Sequence, residues 1–294
     1  MKALVPSLAA VAAVAGLAAV ASPAAAQTFD ARSVELKDAV ARVVVIVEDR
    51  SDVRIEVEPG RAGLPALQVR RDGSKVVLDG GLRRDIRNCR SGEAYARQPG
   101  QGASVEIRNR GRIDMADASL VVIRTPRDVK VAGGGAVFGS VGPGARSVDL
   151  GAGGCGDWTV ANVSGRMELA VGGSGAIRAG TSSQLDVSIG GSGDVVAGAT
   201  GGLDANIGGS GSITVARADG DADLAIGGSG DITIRGGRIR TLSAAIAGSG
   251  DIDFRGEAGQ VDAAIVGSGD IRVARASGEV SRAVMGSGSV IVGR

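Results

Sequence analysis

Apolar and polar residues alternate through the second half of the chain around a repeated Gly-Ser-Gly phrase. Counted from the first glycine of each phrase, apolar residues stand two, four and six residues before it and four and six residues after it, with Arg282 the one exception. An alternation of period two is typical of strands with one buried face. The pattern therefore predicts two short strands per repeat, with inward side chains such as Ile213, Ile232 and Ile271 buried.

The phrases recur at intervals of 18 to 20 residues, which is the spacing of a solenoid. A coil of this length has no room for helical crossovers, so each strand must stack on the matching strand of the next coil. We expect an all-β fold, a single-stranded parallel β-helix of about 19-residue coils with a less regular β-rich N-terminal part. Glycine at the corners would allow positive φ and close approach of successive coils. The first glycines are Gly154, Gly173, Gly191, Gly209, Gly228, Gly248, Gly267 and Gly286, and Cys155 replaces the first serine.

Three segments differ in composition. Residues 1–26 predict a secretory signal peptide, with Lys2 at the start, an apolar run over 8–20 and small residues over 24–26. Residues 27–131 contain β-branched runs and predict an irregular β region, with an exposed loop near 80–102 where charges, Gly and Pro accumulate. Residues 132–294 predict the regular β-helix. No later segment is long and apolar enough to span a bilayer, so we expect a mature chain without a transmembrane segment, in the periplasm, at the cell surface or secreted.

Two cysteines, Cys89 and Cys155, form an even count in an oxidising compartment. A disulfide would tie the N-terminal region to the first clear coil. The alternative is that Cys155 fills a small serine position in the stack of corners.

A run of features extends over most of the chain. The features are Phe29, the strand over 53–57, the turn at Asp72 and Gly73, the step at Thr125 and Pro126, and the Gly-Ser-Gly-Asp coils that follow. Together they resemble the GIN domain, the head domain of an autotransporter adhesin family. The resemblance covers roughly residues 28–294 and implies an exported β-helix, with adhesion indicated by the family's name.

Residue types restrict the chemistry. The chain has no histidine, which excludes Ser-His-Asp and Cys-His catalysis and imidazole metal sites. Hydrolysis of polysaccharides by a pair of carboxylates needs no histidine, but sugar-binding grooves usually carry aromatic platforms, and aromatic residues are only 2% of this chain. We therefore predict a protein without catalytic or cofactor-binding residues, with a β-helix carbohydrate-active enzyme of the cell envelope as the alternative.

Stacking would align acidic residues into two columns. Calcium takes oxygen ligands, so the outward column five residues before each corner is a candidate site. Against calcium, aspartate in the calcium β-roll phrase G-G-x-G-x-D lies two residues after the last glycine. Here it follows immediately, once per coil. The alternative interpretation is that the corner acids cap backbone N–H groups and the outward acids keep the rod soluble. The outward column is Asp149, Glu168, Asp186, Asp204 and Asp223, and the corner column is Asp157, Asp194, Asp231, Asp251 and Asp270.

The net charge of +1 provides no basic field for nucleic acid. We expect an adhesin-like or scaffold protein that binds an envelope protein or a glycan surface along an extended face. Arg282 occupies an inward position of the last coil, where we expect the strand to splay and bring the guanidinium to solvent.

Overall fold

The computed structural model describes residues 26–93 and 97–293, and the predicted signal peptide therefore lies almost entirely outside the described residues. Nine strands precede the regular coils, with two short 3₁₀ helices at Arg83–Asp85 and Met115–Asp117. The strands are β1 (Gln27–Phe29), β2 (Ser33–Val47), β3 (Val53–Glu58), β4 (Gln68–Asp72), β5 (Lys75–Asp79), β6 (Ile86–Arg90), β7 (Ser104–Ile107), β8 (Gly111–Asp114) and β9 (Ser119–Thr125).

Fourteen further strands build the coils, and the fold is the predicted parallel β-solenoid, with about 9 coils. They are β10 (Asp128–Val141), β11 (Ser147–Ala152), β12 (Trp158–Val160), β13 (Arg166–Val171), β14 (Ala176–Ala179), β15 (Ser182–Ile189), β16 (Asp194–Ile207), β17 (Ser212–Ile226), β18 (Asp231–Ile234), β19 (Gly237–Gly248), β20 (Ile252–Gly267), β21 (Ile271–Ala276), β22 (Val280–Gly286) and β23 (Val290–Val292).

Two parallel ladders run along the rod, one on each side of the glycine corners. The strand segments before the corners form one ladder, from the start of β10 through β11, β13 and β15 to β22. The segments after the corners form the other, from the end of β10 through β12 and β14 to β23. The predicted strand register is confirmed, because Ile213, Ile232 and Ile271 are fully buried.

The N-terminal strands do not stack in sequence order. β2 lies between β10 on one side and β5 and β9 on the other, always parallel. Antiparallel strands then extend this end of the sheet, since β3 pairs with β9, β4 with β5 and β1 with β3. The predicted turn at Gly73 joins β4 to β5, with φ of 61°. The predicted segment boundary at 131/132 falls inside β10, so the regular stacking includes β2 and begins before the corner repeats.

A second, small sheet lies on the side of the first coils. Residues 80–102, expected to form an exposed loop, instead contain β6, which pairs with β7, and β7 pairs with β8. Apolar side chains of this sheet, among them Val105 and Ile107, pack against outward residues of the solenoid, including Val40 and Phe138. The sequence pattern did not indicate strand β6, because arginines lie next to its two half-buried residues, Ile86 and Cys89.

The largest core side chain occupies space left by glycines in the preceding coil. Trp158 points inward with 1% of its surface exposed. A Cβ at Gly139, its partner in β10, would lie 2.3 Å from the indole ring, and one at Gly133 would lie 3.1 Å from it. The indole therefore fills the core beneath a coil that has no side chain there.

Each corner is held by a backbone hydrogen bond to the coil before it. The corner serine N–H donates to the carbonyl oxygen of the preceding coil's first glycine at 2.9–3.1 Å, from Ser174 through Ser287. A Cβ on the next first glycine would lie 1.9–2.1 Å from that same oxygen. The close approach of successive coils therefore explains why the first corner residue is glycine. The expected positive φ occurs only at Gly267 and Gly286 among the eight first glycines.

The last coil stays paired. β22 is in register with β20 throughout, so the expected splaying at Arg282 is wrong, although the side chain is exposed as expected. Arg282 reaches solvent because no further coil covers its inward side within the described residues.

We predict that Gly191→Ala lowers the free energy of unfolding by about 1–3 kcal/mol or more, as overpacked sites do. The added methyl would meet the Gly173 carbonyl oxygen at 2.1 Å. Urea denaturation measures the change. Gly190→Ala is the matched control, because a Cβ there meets nothing within 4 Å. Equal losses in the two variants would contradict the close-approach explanation.

Candidate functional site

The structure places the outward acidic residues in one column, as their spacing predicts. Each member is the Cα partner of the next on consecutive parallel strands, and the column continues through Ser243, Asp262 and Ser281. Its acidic part is Asp149, Glu168, Asp186, Asp204 and Asp223. Like charges directly opposite each other on neighbouring strands are destabilising.

Basic side chains relieve part of this repulsion. Lys130 Nζ lies 3.3 Å from Asp149 Oδ2, and Arg166 Nε lies 3.0 Å from Asp186 Oδ2. Within residues 26–93 and 97–293, no group of three or more acidic or cysteine side chains is arranged to hold a metal ion. The column therefore aligns the candidate calcium ligands but does not gather them around one point.

Asp186 is the most enclosed member of the column. Its side chain is 19% exposed, and its Oδ2 is buried without an N–H or O–H donor in hydrogen-bonding geometry. Burial raises the pKa of Asp186 above its ordinary value. Arg166 opposes that rise, while Asp204 and Glu168 add to it. The ionised carboxylate is thus disfavoured in the folded state, mainly by burial and further by the like charges stacked beside it.

The corner acids have a structural role. Each accepts a hydrogen bond from the backbone N–H at the same position of the following coil, so the interpretation of these residues as backbone caps is confirmed. Oδ1 of Asp157, Asp194, Asp231, Asp251 and Asp270 accepts from the N–H of Ala176, Ser212, Asp251, Asp270 and Ser289, at 2.8–3.0 Å. Asp270 also accepts a hydrogen bond from the Ser289 hydroxyl. This bond is the largest cause that lowers the pKa of Asp270, followed by the bond from the Ser289 backbone N–H.

Cys89 and Cys155 are joined in a disulfide, with their Cα atoms 5.7 Å apart. Cys155 lies in the first corner and Cys89 in β6, so the bond fastens the small sheet to the solenoid. The separation of 66 residues makes this a long covalent loop. The pairing predicted from the even cysteine count is supported.

A polar cleft lies near this disulfide, between residues 92–93 and 97–101 and the outward side of the first coils. Its volume is about 240 Å³, and its charged lining residues are Glu93, Arg97, Asp157 and Arg178. Both carboxylates have partners: Glu93 Oε2 accepts from Gln101 Nε2 at 3.2 Å, and Asp157 Oδ1 accepts from Ser91 Oγ at 3.3 Å as well as from the Ala176 N–H.

Sequence reasoning missed this cleft. It singled out Asp157 as a corner acid, but nothing along the chain places Glu93 or Arg97 in one cleft with it. The one available signal was Cys155, because a disulfide to Cys89 forces the following residues, Ser91 to Glu93, to lie near the first corner.

The corner repeat has known relatives. Residues 217–293 match the family described as "Putative auto-transporter adhesin, head GIN domain". This part of the chain is therefore similar to a head GIN domain. The resemblance noted from the sequence is confirmed over these C-terminal coils, where the Gly-Ser-Gly corners recur without interruption.

Solved structures share the fold of this chain over most of its length. An adhesin named "putative" from Parabacteroides distasonis aligns with a TM-score of 0.54 and 17% identity, over 92% of this chain and 96% of that one. A protein from the same organism, named a putative lipid binding protein, aligns with a TM-score of 0.50 and 17% identity. A putative adhesin from Parabacteroides merdae aligns with a TM-score of 0.50 and 14% identity. Both alignments also cover 92% of this chain and 96% of the other. At these identities the likeness establishes the fold alone.

A search among curated proteins gave no match to this sequence. Among residues 26–93 and 97–293, no helix has the length and apolar character needed to cross a membrane.

We predict that Asp186→Asn raises the free energy of unfolding at neutral pH by less than about 1 kcal/mol, the range for opposed like charges on a sheet. A raised folded-state pKa means that the folded protein binds the proton more tightly. Stability is therefore lost as pH rises from the ordinary aspartate value of 3.8 through the folded-state pKa. The advantage of the variant should vanish below that ordinary value.

Denaturation at several pH values tests this prediction. Asp262→Asn is the matched control, because Asp262 stands in the same column between two serines. A gain at Asp262 equal to that at Asp186, or a gain at Asp186 that persists in acid, would contradict the role of carboxylate stacking.

Proposed function

We propose that this chain is an exported, non-catalytic binding protein of the cell envelope. In this proposal the solenoid is a rigid, adhesin-like scaffold whose outward side contacts an envelope protein or a glycan surface. The observation that carries the proposal is the structural role of the acidic side chains at the corners. The corner carboxylates accept hydrogen bonds from backbone N–H groups of the following coil, so the fold itself accounts for their presence.

Three further points support binding. The sequence lacks histidine, the outward columns form extended ladders, and the family of residues 217–293 is named for adhesion. Parallel stacking gives every outward residue a fixed neighbour one coil away, at the spacing of adjacent strands, about 4.8 Å. A surface of this kind suits a long partner that makes many modest contacts, in the way that other solenoids bind along an extended face.

Export is part of the proposal. The predicted signal peptide over 1–26 supports it, and the Cys89–Cys155 disulfide agrees with an oxidising compartment. We place the mature chain in the periplasm, at the cell surface or outside the cell.

The cleft beside the disulfide favours a second candidate, a β-helix carbohydrate-active enzyme. Glu93 and Asp157 line one small cavity together with two arginines, and a pair of carboxylates is the minimum equipment of a glycosidase. The binding proposal is stronger, because Asp157 already accepts two hydrogen bonds from the protein.

We predict that the purified protein co-sediments with isolated cell envelopes and releases no reducing sugar from them. If the partner is a protein, treating the envelopes with protease beforehand should abolish the co-sedimentation. If the partner is a glycan, treating them with periodate should abolish it. The double variant Asp186→Asn, Asp204→Asn should bind only fractionally less, because contacts are spread along the rod.

The outcomes separate the two candidates. Release of reducing ends that is lost in Glu93→Gln would establish the enzyme. Failure to co-sediment, with no sugar released, would overturn the binding proposal.

A further inference from the structure

Arg178 and Arg272 occupy the same place in two coils but have different surroundings. Both stand five residues after the first corner glycine and point outward. Arg272 binds two aspartates, with Nη1 3.5 Å from Asp251 Oδ2 in the preceding coil and Nη2 2.5 Å from Asp270 Oδ2 in its own. Arg178 forms no ion pair with a carboxylate of residues 26–93 or 97–293, although it is half-buried.

The cause is a change at one corner. Where Arg272 has Asp270 in its own coil, Arg178 has Ala176. The aspartate of the preceding coil is present as Asp157, but its Oδ1 accepts hydrogen bonds from Ala176 N and Ser91 Oγ. The coil of Arg178 therefore keeps the arginine and lacks the carboxylate that corresponds to Asp270.

Arg178 lines the polar cleft from the solenoid, and Arg97, which lies between β6 and β7, lines it as well. A guanidinium offers a planar fork of donors that matches a carboxylate, and a partly buried one gains most from such a partner. Thr159 and Ser140 supply hydroxyl groups beside it, and Glu93 supplies an acceptor.

The size of the cleft limits the ligand. Its volume of about 240 Å³ lies below the roughly 300 Å³ at which pockets for drug-sized ligands begin. One sugar ring suits it better than a longer segment. Its lining is polar, with donors and acceptors for hydroxyl groups.

We propose that this cleft binds a carboxylate-bearing sugar residue, a uronic acid unit of an anionic glycan. Its carboxylate pairs with Arg178 and Arg97, and its hydroxyl groups bind Thr159, Ser140 and Glu93. The inference rests on the proposed binding function and names the ligand class for one part of the surface. Residues between β6 and β7, among them Glu93 and Arg97, line one part of the site, and the disulfide at Cys89 holds the end of β6 at the first corner.

Three sugars that differ only at C6 test the assignment: galacturonate, galactose and galactose 6-phosphate. Each is titrated into the purified protein and its binding followed by calorimetry or ligand-observed NMR. Galacturonate should bind at least about 10-fold more tightly than galactose, the effect of one charge-assisted contact. Tighter Arg178-dependent binding of the phosphate than of galacturonate would overturn the carboxylate assignment.

Matched variants locate the site. Arg178→Gln and Arg97→Gln should each weaken galacturonate binding by at least about 10-fold. Arg272→Gln, the same substitution in an ion-paired setting, should leave binding unchanged. Unfolding midpoints for all three variants show whether each is folded. Unchanged affinity in folded Arg178→Gln, or an equal loss in Arg272→Gln, would contradict the proposal.

Envelope co-sedimentation keeps the two proposals separate. If wild-type protein co-sediments but galacturonate fails to bind, the binding function stands and the cleft assignment falls. If galacturonate binds through Arg178 but the protein fails to co-sediment, the cleft stands as a saccharide site and the envelope-binding function falls.

Discussion

The carbonyl oxygen of each first corner glycine determines how the coils meet. It accepts the N–H of the next coil's corner residue, and it occupies the place where a Cβ on the next first glycine would lie. The hydrogen-bond ladder of the two sheets therefore continues through the corner, and any side chain at that position would break it. Fixed corners set the register of both ladders, and the register sets the outward columns.

Positions that point away from the stack can change without disturbing it. The residue after the first glycine is serine in most coils but Cys155 in the first, where it forms the disulfide. The residue three after that glycine is aspartate in several coils, where it caps the next coil, but Ala176 in one. Cys155 and Ala176 lie in adjacent coils, close in sequence to Asp157 and Arg178, which line the polar cleft. The corners thus keep their structure although Cys155 and Ala176 differ from the residues at these positions in other coils.

Local patterns made the solenoid predictable. Period-two alternation located the inward residues, and the 18 to 20 residue spacing aligned them into columns, so Ile232 is buried and Asp186 faces Asp204 as the sequence indicates. The even cysteine count indicated the pair. Long-range placement was beyond such reasoning. Nothing local shows that β2 inserts between β9 and β10, or that β6, flanked by arginines, belongs to a sheet. The cleft depends on both of these placements, which is why its residues were not grouped in advance.

Amide hydrogen exchange, followed by NMR, tests the role of the corners most directly. If corner hydrogen bonds hold the coils together, the amides of Ser192, Ser210, Ser229 and Ser249 exchange as slowly as those of the neighbouring buried strand residues. Exchange of these serine amides at the rate of an open loop, while the strands stay protected, would show that the corners are mobile connections. The glycine carbonyl ladder would then not be the interaction on which the solenoid depends.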